Sequence, residues 1–272
     1  MRRHEKSLGF SPHKGASGRP CLGTRVGARP ARAVVVQAAL AALGAAALAS
    51  APRPAAADPL SFGGGLLAGV GGNFLDKPGN RQYGAELDTL YPGFAGTSAA
   101  FGGFVEARLL GLVGLEIDLL SSSDYGKGDV TLNNAEYTIE IGQRAWHLPV
   151  LAKGVIPLPL LAPFIVVGPE FVFSSSPDAS VDPKGYPAVV SARNDGYTLL
   201  TAGLGLEIKP PIPKLDIRIP FSLRASFNPG SPDTIGGRAR YEGGGVLTAT
   251  SANYLSEWKY RAYAMVGVGL HF

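Results

Sequence analysis

Cysteine, histidine and charged residues are all scarce in this chain. It has one cysteine, Cys21, and four histidines among 272 residues, and Asp, Glu, Lys and Arg make up only 17%. Residues 58–272 have no cysteine, so this part of the chain has no disulfide, thiolate nucleophile or zinc–thiolate site. After Asp58, no stretch shows the 3.6-residue period of an amphipathic helix, which argues against a helical domain.

Positive charge is concentrated at the N-terminus. Residues 1–57 hold nine Lys or Arg side chains and one acid, Glu5, for a formal charge of +8. Residues 58–272 hold the other 16 basic and 20 acidic side chains, for a charge of −4. We therefore expect no nucleic-acid partner for this larger part. We also expect no cofactor, because residues 63–68 have the G-x-G-x-x-A spacing of a nucleotide-binding turn but no βαβ unit follows them.

The order of parts in residues 1–57 is typical of a cleavable secretory signal. A basic stretch ends at Arg32, an apolar stretch covers residues 33–49, and small residues follow. Cleavage is expected after Ala49 or Ala57, and the change of composition at Asp58 favours Ala57. A retained membrane anchor is the alternative, but the apolar stretch is short for a spanning helix. The prediction is a signal peptide over 1–57 and one domain over 58–272.

Residues 58–272 repeatedly alternate apolar and polar side chains, which predicts β-strands with two different faces. We also expect a bulge near Gln143, where the apolar parity changes and would let Glu140 and Arg144 join the polar face. The eight predicted strands are roughly Ser61–Phe74, Thr97–Leu109, Leu115–Asp124, Tyr137–Val155, Ala162–Ser175, Asp195–Ile208, Lys214–Phe227 and Glu257–Phe272.

The connections between these strands alternate in length. Short ones cover residues 110–114, 156–161 and 209–213, and long polar ones cover 75–96, 125–136, 176–194 and 228–256. In an up-and-down meander, every second connection lies at the same end. The pattern predicts an eight-stranded antiparallel barrel with tight periplasmic turns and four long extracellular loops.

Charged side chains occupy one face of the predicted strands. A Lys or Arg facing lipid near the bilayer centre costs about 2–4 kcal/mol, so we assign this face to the lumen and the apolar face to lipid. Six acids and six bases then predict a lumen plugged by ion pairs. The predicted lumen network consists of Glu106, Arg108, Glu116, Asp118, His147, Lys153, Glu170, Glu207, Asp216, Arg218, Arg224, Lys259 and Arg261, with His271 beside it.

Four glycines lie on the inward face of the first predicted strand. Gly63, Gly65, Gly69 and Gly71 are expected to make room for Arg and Glu side chains from neighbouring strands.

His147 has two possible sets of partners. Simple hairpin pairing sets it near Glu116 or Asp118, whereas a shifted register would bring it to the serines at 121–123, as a hydrolase would require.

Metal binding is weakly indicated. Asp124 and Asp129 lie on either side of two glycines in a predicted loop, but this spacing completes no Ca²⁺ coordination set. A solvated turn is the preferred interpretation, and we predict no metal site.

The end of the sequence resembles the assembly signal of outer-membrane barrels. The last eight residues read MVGVGLHF, with Phe272 as terminal aromatic, Leu270 two before it and Gly267 five before it. Residues 147–153 and 162–169 also resemble the central hairpin of the small outer-membrane β-barrel domain family, of the PorT-like and OmpA-type kind. The resemblance implies a barrel read by the barrel-assembly machinery, and it implies no particular activity.

Together these features predict a non-enzymatic integral protein of a Gram-negative outer membrane, with both termini periplasmic. Its partners would be outer-membrane lipid, the assembly machinery and an unidentified extracellular ligand of the loops. Two alternatives stay open: a narrow pore or lipid A-modifying barrel enzyme, and a secreted, soluble, lipocalin-like barrel. The direction of the apolar face distinguishes the last alternative from the membrane barrels, because a soluble barrel would place its apolar face inside.

Overall fold

A computed structural model describes residues 60–76, 90–132, 134–185, 188–230, 236–242 and 246–272, and for residues 236–242 and 246–250 it describes the backbone alone. The predicted signal segment 1–57 lies outside these residues. Within them, no helix is both long and apolar enough to cross a bilayer. The described strands are β1 (Leu60–Leu75), β2 (Phe94–Leu109), β3 (Val113–Leu132), β4 (Ala135–Val155), β5 (Leu161–Ser174), β6 (Asp178–Asp182), β7 (Val189–Arg193), β8 (Tyr197–Ile208), β9 (Asp216–Phe227), β10 (Gly236–Glu242), β11 (Val246–Leu255) and β12 (Tyr260–His271).

Eight of the described strands close into an antiparallel ring. The order around it is β1-β2-β3-β4-β5-β8-β9-β12, and β12 pairs again with β1. Neighbours in the ring follow one another along the chain, apart from inserted strands in two connections. The prediction of an eight-stranded up-and-down barrel is confirmed, because every long strand finds both partners and no open edge remains in the ring.

The strand register fixes the width and tilt of the barrel. Starting at Phe62 on β1 and moving from each residue to its partner on the next strand, one returns to β1 at Gly72. The ring therefore closes with a stagger of ten residues. This stagger tilts the strands by about 40° from the barrel axis, using the usual spacings along and between strands. A barrel of this size leaves room inside for side chains alone or for one small ligand.

The two faces of the ring differ in polarity. Buried and exposed residues alternate along each ring strand, and the exposed set is almost entirely apolar. Leu66, Phe101 and Ile165 are 64–68% exposed, whereas charged side chains such as Arg108 and Asp118 are at most 1% exposed. In water this exposed surface would be unfavourable, and in hydrocarbon it is favourable. The fold is therefore that of a transmembrane β-barrel, and the soluble, lipocalin-like alternative is wrong.

Aromatic side chains mark both edges of the apolar belt. Phe74, Tyr260 and Phe227 are neighbours on β1, β12 and β9 near the long connections, and the rings of Tyr260 and Phe227 have centroids 5.5 Å apart. Phe62 and Phe272 are exposed at the opposite edge. Such girdles are expected where a barrel crosses the two interfaces of a membrane.

The predicted loop over residues 125–136 is wrong. Strands β3 and β4 run on past the belt as one hairpin and pair without interruption up to Leu132 and Ala135. A turn with Asn134 in the left-handed region (φ 62°) joins them. Two other long connections also contain strands: β6 pairs with the upper part of β4, and β10, β11 and β7 form a separate three-stranded sheet. Glycines and charged residues in 125–136 resemble a loop in the sequence, and they hide the alternation of the strands there.

The long connections share a hydrophobic core of their own above the lumen. We call it the cap core, and Tyr254, Trp258, Ile139 and Ile141 in it are completely buried. The Tyr254 hydroxyl donates a hydrogen bond of 2.9 Å to the carbonyl of Leu90. The described members of the cap core are Leu75, Leu90, Tyr91, Phe94, Val130, Leu132, Ile139, Ile141, Ala252, Tyr254 and Trp258.

The inward glycines of β1 make room for other side chains than expected. A Cβ at Gly63 would meet the ring of His271, and one at Gly69 would meet the sulfur of Met265. At Gly71 a Cβ would meet the Ala262 carbonyl and the ring of Tyr263. The Arg and Glu side chains reach into the lumen from other strands instead.

We expect Gly126→Val to loosen the cap core. A Cβ at Gly126 would lie 2.5 Å from the ring of Trp258, which is completely buried. Overpacking of this kind costs about 1–3 kcal/mol, and here it should raise the rate at which trypsin cleaves the segments between the ring strands. Limited proteolysis of the refolded protein measures this rate.

Gly142→Val is the matched control, because a Cβ at Gly142 on the same hairpin meets nothing within 4 Å. Equal protease sensitivity of the two variants would contradict the tight packing of Trp258 on the hairpin.

Candidate functional site in the barrel lumen

Charged side chains meet across the lumen in two groups. The lower group lies towards the short turns, and the upper group lies towards the long connections. In both groups, several contacts join strands that are not neighbours in the ring, such as Arg108 with Glu207 and Arg261 with Asp124, so these contacts cross the interior. The lower group consists of Glu106, Arg108, Glu116, Asp118, Lys153, Glu207, Arg218 and Arg224, and the charged members of the upper group are Asp124, His147, Glu170 and Arg261.

Lys153 is the centre of the lower group. Its ammonium nitrogen lies 2.6 Å from Glu116, 2.9 Å from Glu207 and 3.0 Å from Glu106, so one cation contacts carboxylates from three strands. The same nitrogen lies 4.4 Å from the ring centre of Phe164, which adds a cation–π contact. Lys153 is 3% exposed. In so dry a place, each of these charges is stable only because the others are present.

Two arginines complete the lower group. Arg108 on β2 pairs with Glu106 on its own strand and with Glu207 on β8, reaching the latter with two nitrogens. Arg224 on β9 contacts Asp118 at 2.5 Å and Glu116 at 2.8 Å, both on β3. Forked guanidinium groups can donate to two carboxylates at once, which is why they can link distant strands.

Arg261 is the centre of the upper group. It donates to Asn73 at 2.9 Å and to Asp124 at 3.1 Å, and it lies 3.5 Å from Glu170. Tyr263 and Ser98 join the same network through short hydrogen bonds, and Ser98 also donates to Asp124. The network therefore reaches from β12 to β1, β2, β3 and β5.

His147 contacts a serine and a glutamate. Its Nε2 lies 2.9 Å from the hydroxyl of Ser122, and its Nδ1 lies 2.7 Å from Glu170. The guanidinium of Arg261 lies 2.7 and 3.0 Å from the two ring nitrogens. Pairing with Glu116 or Asp118 was the expectation from a long loop, and it is wrong. The tight turn at Asn134 shifts the register, so that His147 pairs with Leu120.

Not all of the predicted network residues meet in the lumen. Asp216 lies at the turn side with its side chain 45% exposed, and it contacts Arg218 of the lower group at 2.6 Å. Lys259 lies outside β12 and pairs with Asp76 at 3.0 Å. His271 fills the space that Gly63 leaves on β1.

Asp124 is a charged lumen residue that sequence reasoning placed in a solvated turn. It is 1% exposed and pairs with Arg261, whereas Asp129 faces outward and accepts a hydrogen bond of 2.8 Å from Thr138. The sequence did contain a signal for the inward position of Asp124. Asp124, Glu116 and Asp118 are all even-numbered residues of β3 and therefore share one face of the strand. With Asp124 added, and with Asp216 and Lys259 outside the two groups, the equal count becomes six acids against five bases, besides His147.

The predicted bulge near Gln143 is absent from the described pairing of β4 with β3 and β5. Odd-numbered residues of β4 face inward from Ile139 to Val155, and Arg144 and Glu140 face outward. The parity change in the sequence arises because the upper inward positions belong to the cap core, which is apolar, and the lower ones belong to the lumen.

One charge pair lies on the outward face of the β3–β4 hairpin, beyond the belt. Lys127 donates to Glu140 at 2.6 Å. This hydrogen bond lowers the pKa of Glu140 and raises that of Lys127. Both side chains are exposed to solvent, so the pair adds little to stability.

Apolar side chains fill the lumen between and beside the two charged groups. Leu67, Phe104, Leu120 and Met265 form a buried cluster at the middle level. A second cluster, of Leu151, Val155, Ala162, Phe164 and Val166, lies beside the lower group. The plug is therefore part ionic and part apolar, whereas charge pattern alone suggested ion pairs only.

A cavity of about 20 Å³ lies beside the upper group and is lined in part by His147, Glu170, Arg261 and Thr201. This volume suffices for about one water molecule. Within the described part of the chain, no three His, Cys, Asp or Glu side chains are arranged to hold a metal ion.

The predicted assembly-signal residues lie on β12. Leu270 and Phe272 face outward and are 50% and 83% exposed, and Gly267 faces inward against Leu67. The backbone of Phe272 exchanges two hydrogen bonds with Phe62. The C-terminal residue is thereby held to β1 at the closing pair of the barrel.

No family model matches the chain, and no curated relative matches it. Among solved structures, it is similar to the outer membrane protein OprG of Pseudomonas aeruginosa, with 13% identity, 78% of this chain and 95% of that chain covered, and a TM-score of 0.38. It is also similar to Neisserial surface protein A, with 10% identity, 79% and 98% coverage and a TM-score of 0.36. A third is the N-terminal β-barrel domain of OprF of Pseudomonas aeruginosa, with 13% identity, 78% and 97% coverage and a TM-score of 0.31. The assignment of the barrel here rests on the strand pairing of this chain.

We expect Lys153→Met to destabilise the barrel by about 3–5 kcal/mol, because it leaves three carboxylates in the lumen without their shared cation. The free energy of unfolding in urea, for protein refolded in detergent or vesicles, measures the loss. Lys127→Met is the control, since it removes an exposed lysine from an equally short ion pair. Similar losses for the two variants would show that the lumen is wet enough to screen its charges.

Proposed function

We propose that this chain is a non-catalytic integral protein of a Gram-negative outer membrane, with its short turns and both termini on the periplasmic side. In this proposal, the sealed barrel holds the folded cap core and its surrounding strands at the cell surface. The observation that carries the proposal is the filled lumen: ion pairs join opposite walls at two levels, and apolar clusters occupy the space between them.

A water-filled pore is disfavoured by the same contacts. Arg108, Lys153 and Arg224 are each at most 7% exposed, and each contacts at least one carboxylate on another strand. Continuous water would require several of these pairs to open together. Each opened pair would leave a charge unpaired at a low dielectric constant, so we expect the open state to be rare.

The cap core supports a surface-display role. Tyr91, Phe94 and Tyr254 are at most 2% exposed, so these aromatics are structural and do not contact ligands. Two further aromatics of the long connections, Tyr186 and Tyr241, lie outside the residues whose side chains are described. Recognition by an unidentified extracellular ligand would instead use the outward face of the β3–β4 hairpin and β6, where Tyr125, Lys127 and Asp178 lie.

Planar-bilayer recording tests the sealed lumen. We expect the refolded protein to give no sustained conductance, because ion pairs and apolar clusters occupy the described lumen at several levels. The double variant Arg108→Ala/Glu207→Ala removes a pair that joins β2 to β8, and it should produce measurable conductance. Lys127→Ala/Glu140→Ala, which removes an exposed pair, is the control and should stay closed.

Folding of all three proteins is checked by heat-modifiable migration on gels. Sustained conductance of the unaltered protein, equal to that of the lumen variant, would contradict the sealed lumen and support the alternative that the protein is a narrow pore.

A lipid hydrolase is the second candidate, and the hydrogen-bond chain Ser122–His147–Glu170 favours it. A serine, a histidine and a carboxylate in this order are the parts of an acyl-transfer site. The surroundings argue against catalysis. Ser122 and His147 are 3% and 2% exposed, and the cavity of about 20 Å³ beside His147 cannot hold an acyl chain.

Hydrolysis of lipid by the protein in vesicles tests the enzymatic candidate. We expect no fatty-acid release above that of Ser122→Ala, because an acyl substrate has no access to the hydroxyl. A rate that falls by orders of magnitude in both Ser122→Ala and His147→Gln, with the barrel still folded, would make the protein an enzyme.

A further inference from the structure

The three short turns expose aliphatic side chains at an end of the barrel where polar residues would suit water. We call residues 110–112, 156–160 and 209–215 the turn rim. Two of its three segments have no charged residue. The exposed aliphatic side chains, each 37–61% accessible, are Leu110, Leu112, Ile156, Leu158, Leu160, Ile212 and Leu215.

This apolar surface is continuous with the lipid-facing belt. Val113 and Leu161, the first residues of β3 and β5, are 54% and 46% exposed and directly follow turn-rim residues. Phe62 and Phe272 extend the same edge across β1 and the C-terminus. At the first two turns, residues 109–113 and 155–161 include no charged residue, so the surface that contacts lipid on the strands continues into these turns.

The backbone of the third turn is adapted to a medium with little water. Three of its seven residues, 209–215, are prolines, which have no N–H group to satisfy. The amide of Lys209 donates to the carbonyl of Leu160, and the amide of Ile212 donates to that of Pro210, at 2.9 and 2.8 Å. A backbone amide without a hydrogen-bond partner would be costly near hydrocarbon. The prolines and these two hydrogen bonds reduce the number of such amides in the third turn.

The turns also bind one another. The Lys209–Leu160 bond joins the second and third turns, and the amide of Val155 donates to the carbonyl of Leu112 at 2.7 Å, joining the first turn to β4. Ile156 donates to Pro163 at 2.9 Å. The turn rim is thus a connected surface.

Turn chemistry differs between the two ends of the barrel. In the first turn, Leu110 and Gly111 both have left-handed backbone angles, with φ of 55° and 68°. Asn and Gly are the usual residues in that conformation, and a leucine there costs about 1–2 kcal/mol. The hairpin at the opposite end uses Asn134 for the same purpose. The free energy that the Leu110 side chain gains on moving from water into lipid would offset this backbone cost.

We propose that the turn rim inserts into the phospholipid leaflet it faces, to the boundary between headgroups and acyl chains. Apolar surfaces of this kind are typically buried about 5–10 Å into the boundary of headgroups and acyl chains. Lys209 and Lys214, on either side of the prolines, have side chains long enough to extend to lipid phosphates. The proposal rests on the membrane location given under Proposed function, and it identifies the leaflet lipid as partner of this end.

A single-cysteine fluorescence experiment tests the depth of the turns. In the full chain with Cys21→Ser, Leu158→Cys carries a bimane probe at the tip of the second turn. Ile165→Cys, 64% exposed on β5, reports the belt, and Ser180→Cys, exposed on β6, reports the opposite aqueous end. Each protein is refolded into phosphatidylcholine vesicles and quenched by aqueous iodide or by lipid brominated near the top of its acyl chains.

We expect iodide to quench the Leu158 probe about fivefold less than the Ser180 probe, and brominated lipid to quench it about as much as the Ile165 probe. Iodide quenching equal to that at Ser180 would overturn the insertion while leaving the barrel in the membrane. Shielding of the Leu158 probe from both quenchers would mean that protein covers the turns, which also overturns the proposal. If the Ile165 probe is itself open to iodide, the membrane location fails first.

Discussion

The cost of an unpaired charge at a low dielectric constant governs this molecule. Charged side chains on the ring strands cannot face hydrocarbon, so they must face the lumen, and there they are stable only with partners. Lys153, Arg224 and Arg261 each contact more than one acidic residue, and most of these contacts reach across the barrel. The apolar exterior and the paired interior are two consequences of the same constraint.

This constraint also explains why the lumen is filled in layers. An eight-stranded ring with a stagger of ten residues has little interior space. Two charged groups at different levels, with Leu67, Phe104, Leu120 and Met265 between them, occupy that space among the described residues. The Ser122–His147–Glu170 chain belongs to this filling. Buried polar groups need hydrogen-bond partners whether or not they take part in a reaction, and this chain provides them.

The two ends of the barrel meet their surroundings in different ways. On one side, strands extend past the belt and bury Tyr254 and Trp258 in a core of their own, so that they present a defined surface. On the other side, the chain turns sharply with leucines, isoleucines and prolines. A closed barrel with a folded outer part is suited to display a surface in a membrane, and a leaflet that receives apolar turns would fix its depth.

The sequence by itself determined the strand faces, the eight-stranded ring and the inward direction of most charges. Period-two alternation is local, and the penalty for a charge in lipid sets its orientation whatever the partner. The tertiary structure alone decided that β3 and β4 continue past residues 125–136, that His147 meets Ser122 and Glu170, and that Asp124 pairs with Arg261. These contacts depend on the position of one tight turn and on the stagger at which the ring closes, and both are settled by packing between residues far apart in the chain.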